Sequence, residues 1–523
     1  MEIPVHRRIL LCRWSYLRIA VALLLAGFVQ VRADEPCARC HANEVAQFQR
    51  SPMGRSVGPP SVFTEARVVH KLSESVLTVR RRGSGLEQRL EHRGVYAKYP
   101  VPYSVGAGII GYSYFVRVGA YLFRAPLSYY TQTQSWDLAP GFETNPRPDF
   151  NHQISTGCLF CHAGSVDLVP GAPNQFREPP FTPISCERCH GSSAAHLRNP
   201  IPGSIVNPAK LLARERNSVC EQCHLEGDVR VLNPGRDWFD FHVGSPTESV
   251  FVTYLRTSGH GDLRAVSQIE LMARSQCLRQ SGDRLWCGSC HNPHALEANR
   301  AQAVRKVCLG CHSSLFESAR HPAASECVTC HMPRLRPTNV LHAAITDHSI
   351  PRKPRSRSSD SIGSGAELKA WRDPESTLAL RNLGLAYFDQ GANTHAVADS
   401  RRAYQILSQL PPEQRDPLVE ADLASLLLQQ NQPRLAIEMF QRAVARQPSN
   451  ARYAYCLGAA LGQAGKSGEA VKELRRSIKL DPSQQEPYLA LAEVYQKSGQ
   501  EAESRRVIEE YLRFMPQNIW LRQ

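Results

Sequence analysis

The sequence reads as mainly α, in two unlike parts: a loop-rich domain with a small antiparallel β insert, followed by an α-solenoid. Three observations in its 523 residues carry that reading. The pattern Cys-x-x-Cys-His occurs seven times between Cys37 and His331 and uses 14 of the 17 cysteines. Around these motifs, from 150 to 350, Pro, Gly and His are frequent and long apolar periodic stretches are few. Beyond residue 366 the texture turns helical and repeats every 34 residues.

Residues 1–33 read as an export signal. Arg7, Arg8, Arg13 and Arg18 form a basic leader, Ile19–Val29 is the apolar core, and Val31-Arg-Ala33 offers a small-residue cleavage site. The apolar run is shorter than the roughly 20 residues a membrane-spanning helix needs. An uncleaved signal would instead hold the chain at a membrane.

The motif domain is predicted over 34–350. Its pairs are Cys37/Cys40, Cys158/Cys161, Cys186/Cys189, Cys220/Cys223, Cys287/Cys290, Cys308/Cys311 and Cys327/Cys330. The histidines that follow are His41, His162, His190, His224, His291, His312 and His331. Zinc sites and disulfide frameworks also use paired cysteines, but neither requires a histidine directly after the second. Covalent c-type haem does: two thiols form thioethers and the histidine binds iron. Seven haems c are therefore expected. Export agrees, since this haem is attached outside the bacterial cytoplasm.

Between the first and second motifs, about 62–132 is free of cysteine. Val76–Arg82, Gly83-Ser-Gly85 and Leu86–His92 read as one hairpin, and Tyr112–Val118, Gly119 and Tyr121–Phe123 as another. So small a sheet is marginal alone and is expected to pack on the haem region. From the second motif on, the spacings are 28, 34, 67, 21 and 19 residues, and a helix is expected around Val266–Ser275 in the longest gap.

Residues 351–365 (PRKPRSRSSDSIGSG) read as a linker. Over 366–523, Leu423-Ala424, Leu457-Gly458 and Leu491-Ala492 recur at 34 residues, as do Ala436, Ala470 and Ser504. Phe440, Leu474 and Ile508 follow, then Pro448, Pro482 and Pro516. This resembles the tetratricopeptide repeat, in which small residues let paired helices pack. A degenerate earlier copy surrounds Leu383-Gly384 and Tyr387, giving four repeats over about 374–517.

The net charge is +14. The first 33 residues carry five Arg and one Glu, so the remainder carries 14 − 4 = +10. Seven haems would add about 14 propionates. The basic residues are thus assigned to propionates, and no nucleic-acid partner is expected.

Twelve histidines lie outside the motifs, two of them (His6, His395) in the signal and the repeats. A second axial ligand makes a haem an electron carrier, whereas an open position lets a substrate bind. Cys186–His196 (CERCHGSSAAH) is similar to a motif of cytochromes related to the tetrahaem electron acceptor of hydroxylamine oxidoreductase. Residues 136–141, 157–162, 184–191, 206–208, 219–224 and 330–333 resemble exported proteins that join doubled-CxxCH segments to tetratricopeptide repeats. The resemblance implies His196, His70, His342 and His348 as distal ligands. His294 could cap a haem adjacent to that of His291. His321, His260, His242 and Met272 are further candidates, and His92 and His152 weaker ones. Where relatives carry histidine, this chain has Gln268, a poor ligand.

The expectation is an exported heptahaem cytochrome of the periplasm that carries electrons, with its repeats docking a redox partner. The alternative is an oxidoreductase acting on a small nitrogen or sulfur compound at an open haem, for which no catalytic residue is assigned.

Overall fold

The structure, a computed structural model, describes residues 35–256, 263–296, 299–313, 326–353 and 367–522. The signal, most of the linker, His260 and His321 lie outside the described residues. Among those described, no helix is long and apolar enough to cross a membrane.

The β insert is larger than expected. Strands β1 (Val57–Gly58), β2 (Ala66–His70), β3 (Ser75–Arg82), β4 (Gly85–His92) and β5 (Val95–Val101) are followed by β6 (Tyr103–Val105), β7 (Gly111–Val118), β8 (Tyr121–Arg124), β9 (Leu127–Tyr130) and β10 (Ser135–Leu138). One antiparallel sheet runs β2-β3-β4-β5, and a second runs β1-β6-β7-β9-β10 with β8 on β7. Alternation drives the first sheet, burying Leu77 and Val79, Leu86 and Leu90, then Ala97 and Val101 on one face. The β4–β5 loop is Arg93-Gly94, with φ of 50° and 81°, the left-handed pair that a type I′ hairpin turn requires.

Further strands appear where none was expected. β11 (Ala163–Val169) and β12 (Ala172–Pro183) form a hairpin. β13 (Val229–Leu232) and β14 (Phe251–Arg256) pair, as do β15 (Arg334–Leu335) and β16 (Ile345–Thr346). β17 (Leu368–Ala370), just past the linker, adds a third strand beside β14. β13, β15, β16 and β17 are too short for periodicity to reveal them, so "mainly α" understates the strand content.

Helices in the motif region are short and coincide with the motifs: Glu187–His190, Ala213–His224, Cys287–Cys290, Arg300–His312 and Cys327–His331. A helical turn puts residues i, i+3 and i+4 on one side, so both thiols and the imidazole face one space. The helix expected around Val266–Ser275 forms at Gln268–Ala273.

Eight helices form four pairs: α1 (Ala379–Thr394), α2 (Val397–Ser408), α3 (Pro417–Gln429), α4 (Pro433–Arg446), α5 (Ala451–Gln463), α6 (Ser467–Leu480), α7 (Glu486–Lys497) and α8 (Glu501–Phe514). The repeating small residues Ala436, Ala470 and Ser504 are buried at the helix contacts. A Cβ at Gly458 would lie 2.6 Å from Leu474 Cγ, so only glycine allows α5 and α6 to approach this closely.

Both ends of the solenoid are fastened to the motif domain. At the first repeat, Arg381 donates to Leu232 O (2.9 Å), Asn382 to Asn233 Oδ1 (3.0 Å), and Arg256 pairs with Asp399. At the last, Trp520 Nε1 donates to Pro148 O (2.9 Å) and Gln153 Nε2 to Ser483 Oγ (2.7 Å). One apolar core runs from Leu77 and Leu90 through Leu385 and Leu457 to Ile519. The β insert therefore packs on the last repeat as well as on the motif region, where Val105, Phe115 and Leu122 meet Leu159 and Phe181.

Asp389 in α1 is driven up to about 7 by burial and by the neighbouring Asp422, opposed by Arg452. Its folded value lies above the unfolded value of about 3.9. Its contribution to stability is therefore complete below pH 4 and lost as pH rises through 7. Asp389→Asn should raise the melting temperature at pH 8 and change it little at pH 4, as thermal melts at both pH values would read.

Candidate functional site

All seven motif histidines and 13 of the 14 motif cysteines line one continuous cavity, with Cys158 standing aside. Its volume is about 3940 Å³. Shared among seven motifs this is about 560 Å³ each, within the 300–1,000 Å³ of a single small-molecule site. Among the described residues no three His, Cys, Asp or Glu side chains converge as a bare metal ion requires. The cysteines are laid out for a large group, not for zinc.

Three motif histidines face a second histidine from elsewhere in the chain. Ring centroids lie 6.4 Å apart for His41 and His196, 5.9 Å for His190 and His294, and 6.2 Å for His291 and His348. The planes are inclined by 24°, 14° and 32°. These separations exceed face-to-face contact. Two imidazoles bound through Nε2 to opposite sides of one metal, with bonds of about 2.0 Å, place their centroids about 6.3 Å apart. The residues fit a bis-histidine haem at each pair.

Four histidines of the cavity are held by a hydrogen bond at Nδ1. Nδ1–H of His190 donates to Val206 O (2.8 Å), that of His348 to Thr346 O (2.9 Å) and that of His331 to Pro351 O (3.0 Å). His196 Nδ1 donates to Ser204 Oγ (2.8 Å), whose own proton goes to Ile201 O (2.7 Å). Each contact selects the tautomer that carries its proton on Nδ1, as metal-bound histidines do.

The thiols of different motifs also meet. Cys161 contacts Cys223, Cys220 contacts Cys287, and Cys308 contacts Cys327. Cys189 lies near Cys220, and Cys290 near Cys308. The Cys223 thiol and then Arg230 draw Cys161 well below the ordinary thiol range. With His196 beside His41, these contacts join all seven motifs into one connected array.

Five other candidates are placed differently. His70 is fully buried, with Nδ1 at 2.6 Å from Ser73 Oγ and Nε2 at 3.1 Å from Phe142 O, so both ring nitrogens serve the β insert. His342 Nε2 is spent on Asp137 (2.6 Å), and the ring packs on Tyr130. His242 is exposed and does not line the cavity. Met272 does line it, but Ser275 Oγ contacts its sulfur at 3.8 Å. His92 packs on Trp520.

A buried ion pair went unforeseen. Glu221, inside the fourth motif, is 2% exposed and receives both Arg372 guanidinium nitrogens at 2.6 Å. Arg372 follows β17, so the start of the solenoid segment clamps a motif. A glutamate in the variable part of Cys-x-x-Cys carries no signal of this partner.

The geometry defines a class: an array of c-type haem attachment sites joined to a helical-repeat solenoid. The comparisons agree. Residues 280–316 match the doubled CXXCH motif, residues 131–191 match cytochrome c554 and c-prime, and residues 421–485 match the tetratricopeptide repeat. Separate segments of the chain thus match multihaem cytochrome c motifs and the tetratricopeptide repeat. Among solved structures it is similar to YrrB, a repeat protein with an unusual peptide-binding site, at 17% identity over 27% of this chain and 70% of that one (TM-score 0.23). It is similar to MamA at 21% over 27% and 74% (TM-score 0.22), and to MamA 41-end from Desulfovibrio magneticus RS-1 at 16% over 27% and 85% (TM-score 0.23). No curated protein matches.

Arg372→Ala leaves the buried Glu221 carboxylate without its partner. Thermal or denaturant unfolding should show a loss of about 3–5 kcal/mol. The double substitution with Glu221→Gln should recover part of it.

Proposed function

We propose that this protein is an exported heptahaem cytochrome of the periplasm that passes electrons along the connected array of motifs. Its repeats would present their remaining surface to a redox partner, and an uncleaved signal would hold it at a membrane. The observation that carries the reading is the trio of histidine pairs inside one cavity lined by every motif histidine.

Bound there, haem supplies a one-electron centre. The chain's residues do the rest. Cysteines fix each group covalently, while backbone carbonyls hold His190, His331 and His348 in the ligating tautomer. Where His41 and His196, His190 and His294, or His291 and His348 would both hold the group, it would serve electron transfer rather than substrate binding. Contacts between thiols of neighbouring motifs keep successive groups close.

The second reading, reaction with a small nitrogen or sulfur compound at an open position, draws on one observation: the side chain that hydrogen-bonds the His224 ring is that of Gln268.

Pyridine haemochrome assay should return seven haems per chain. His196→Ala, His294→Ala or His348→Ala should leave that count unchanged and convert one haem from low to high spin by electron paramagnetic resonance. Fewer haems would contradict the count, and unchanged spectra would contradict the pairing.

A further inference from the structure

One cation is lodged between the second and fourth motifs without an anion to pair with. Arg230 lies on β13, where Val229 and Val231 are buried in the core shared with the repeats. Strand alternation turns Arg230 to the opposite face, toward the motifs. Its guanidinium donates to Gln222 O (2.9 Å), Glu221 O (3.4 Å) and Leu225 O, the carbonyls that flank Cys223 and His224 at the end of the Ala213–His224 helix. It reaches Cys161 Sγ of the second motif at 3.8 Å and stands over the Phe251 ring, 5.1 Å from its centroid. Arg230 thus touches the attachment segments of two motifs at once.

None of these partners brings a negative charge. Glu221 offers only its backbone here, because its carboxylate is taken by Arg372. Glu270, within electrostatic reach, has its Oε1 on Gly227 N at 2.9 Å. Among the described residues no carboxylate forms an ion pair with Arg230. A guanidinium does not shed its proton in a protein, so the charge persists in this site. Arg188, a second cation on the second motif, donates to Phe160 O (2.8 Å) but lines the cavity, where a haem carboxylate can neutralise it. Arg230 does not line the cavity.

Resting on the haem assignment above, we infer that Arg230 is a potential-setting residue, whose fixed charge raises the reduction potentials of the haems on the second and fourth motifs and favours electrons resting at this junction. Taking up an electron lowers the net charge of a haem by one, and a nearby cation stabilises that form. Inside the protein such a field is weakly screened. The hydrogen bonds of Arg230 go to carbonyls and a sulfur and not to a motif histidine, so it acts by its field and not as a ligand.

The experiment uses the holoprotein, with haem located by peptide mapping. Absence of haem from Cys158–Cys161 or from Cys220–Cys223 would overturn the haem assignment there and the inference with it. Redox titration followed by electron paramagnetic resonance then compares the unsubstituted protein with two variants. Arg230→Gln keeps a donor for the carbonyls and drops the charge; Arg230→Lys keeps the charge. Arg230→Gln should lower the midpoints of two haems and leave the others in place, and Arg230→Lys should leave all of them near their original values. Unchanged midpoints in Arg230→Gln, a rise, a shift spread over every haem, or an equal fall in Arg230→Lys would overturn the inference while leaving the haem assignment standing. Loss of haem from Arg230→Gln would make Arg230 a residue of haem attachment and would overturn the inference as well.

Discussion

Each imidazole pair ties together segments far apart in the chain. His41 opens the described structure and meets His196, just after the third motif. His190 of that motif meets His294, just after the fifth. His291 of the fifth meets His348, beyond the seventh. The pairs interlock: the segment that provides one attachment motif also provides the cap for another. Most helices there are short, and those at Cys287–Cys290 and Cys327–His331 bury no residue, so the region has little apolar core of its own. Haems held between such histidines would replace the missing core, and the Nδ1 contacts of His190, His196 and His348 orient those rings for it.

The other elements form a frame around this array. The β insert packs on the motif region and on the last repeat, and the solenoid is fastened at its first and last repeats. Arg372 reaches back to Glu221 within the fourth motif, so the repeats and the haem region share a buried ion pair as well as an apolar core. A partner docking on the solenoid would rest on a rigid extension of the haem domain, not on a loosely tethered module. The short sheet of β13, β14 and β17 makes this literal, since its third strand belongs to the chain just past the linker.

Much of this was legible in the sequence because the chemistry demands fixed spacing. Cys-x-x-Cys-His is dictated by one turn of helix, and the 34-residue period by the stacking of paired helices. His196, His294 and His348, which face motif histidines, could be singled out as candidates because each follows a motif or its relatives' pattern closely. His70 and His342 could not be judged that way. Their ring nitrogens are engaged by Phe142 O and Asp137, partners that only the folded chain brings near. The extent of strand structure was hidden for a different reason: runs such as Val229–Leu232 are too short to show a period. Glu221 and Arg372 were silent because a buried ion pair between distant residues leaves no local pattern.

The central claim is that each of three histidine pairs grips one iron from both sides. Anomalous diffraction at the iron edge from crystals of the holoprotein tests it most directly. The account predicts an iron peak midway between His41 and His196, between His190 and His294, and between His291 and His348. Iron peaks beside the motif histidines but displaced from His196, His294 and His348 would contradict it.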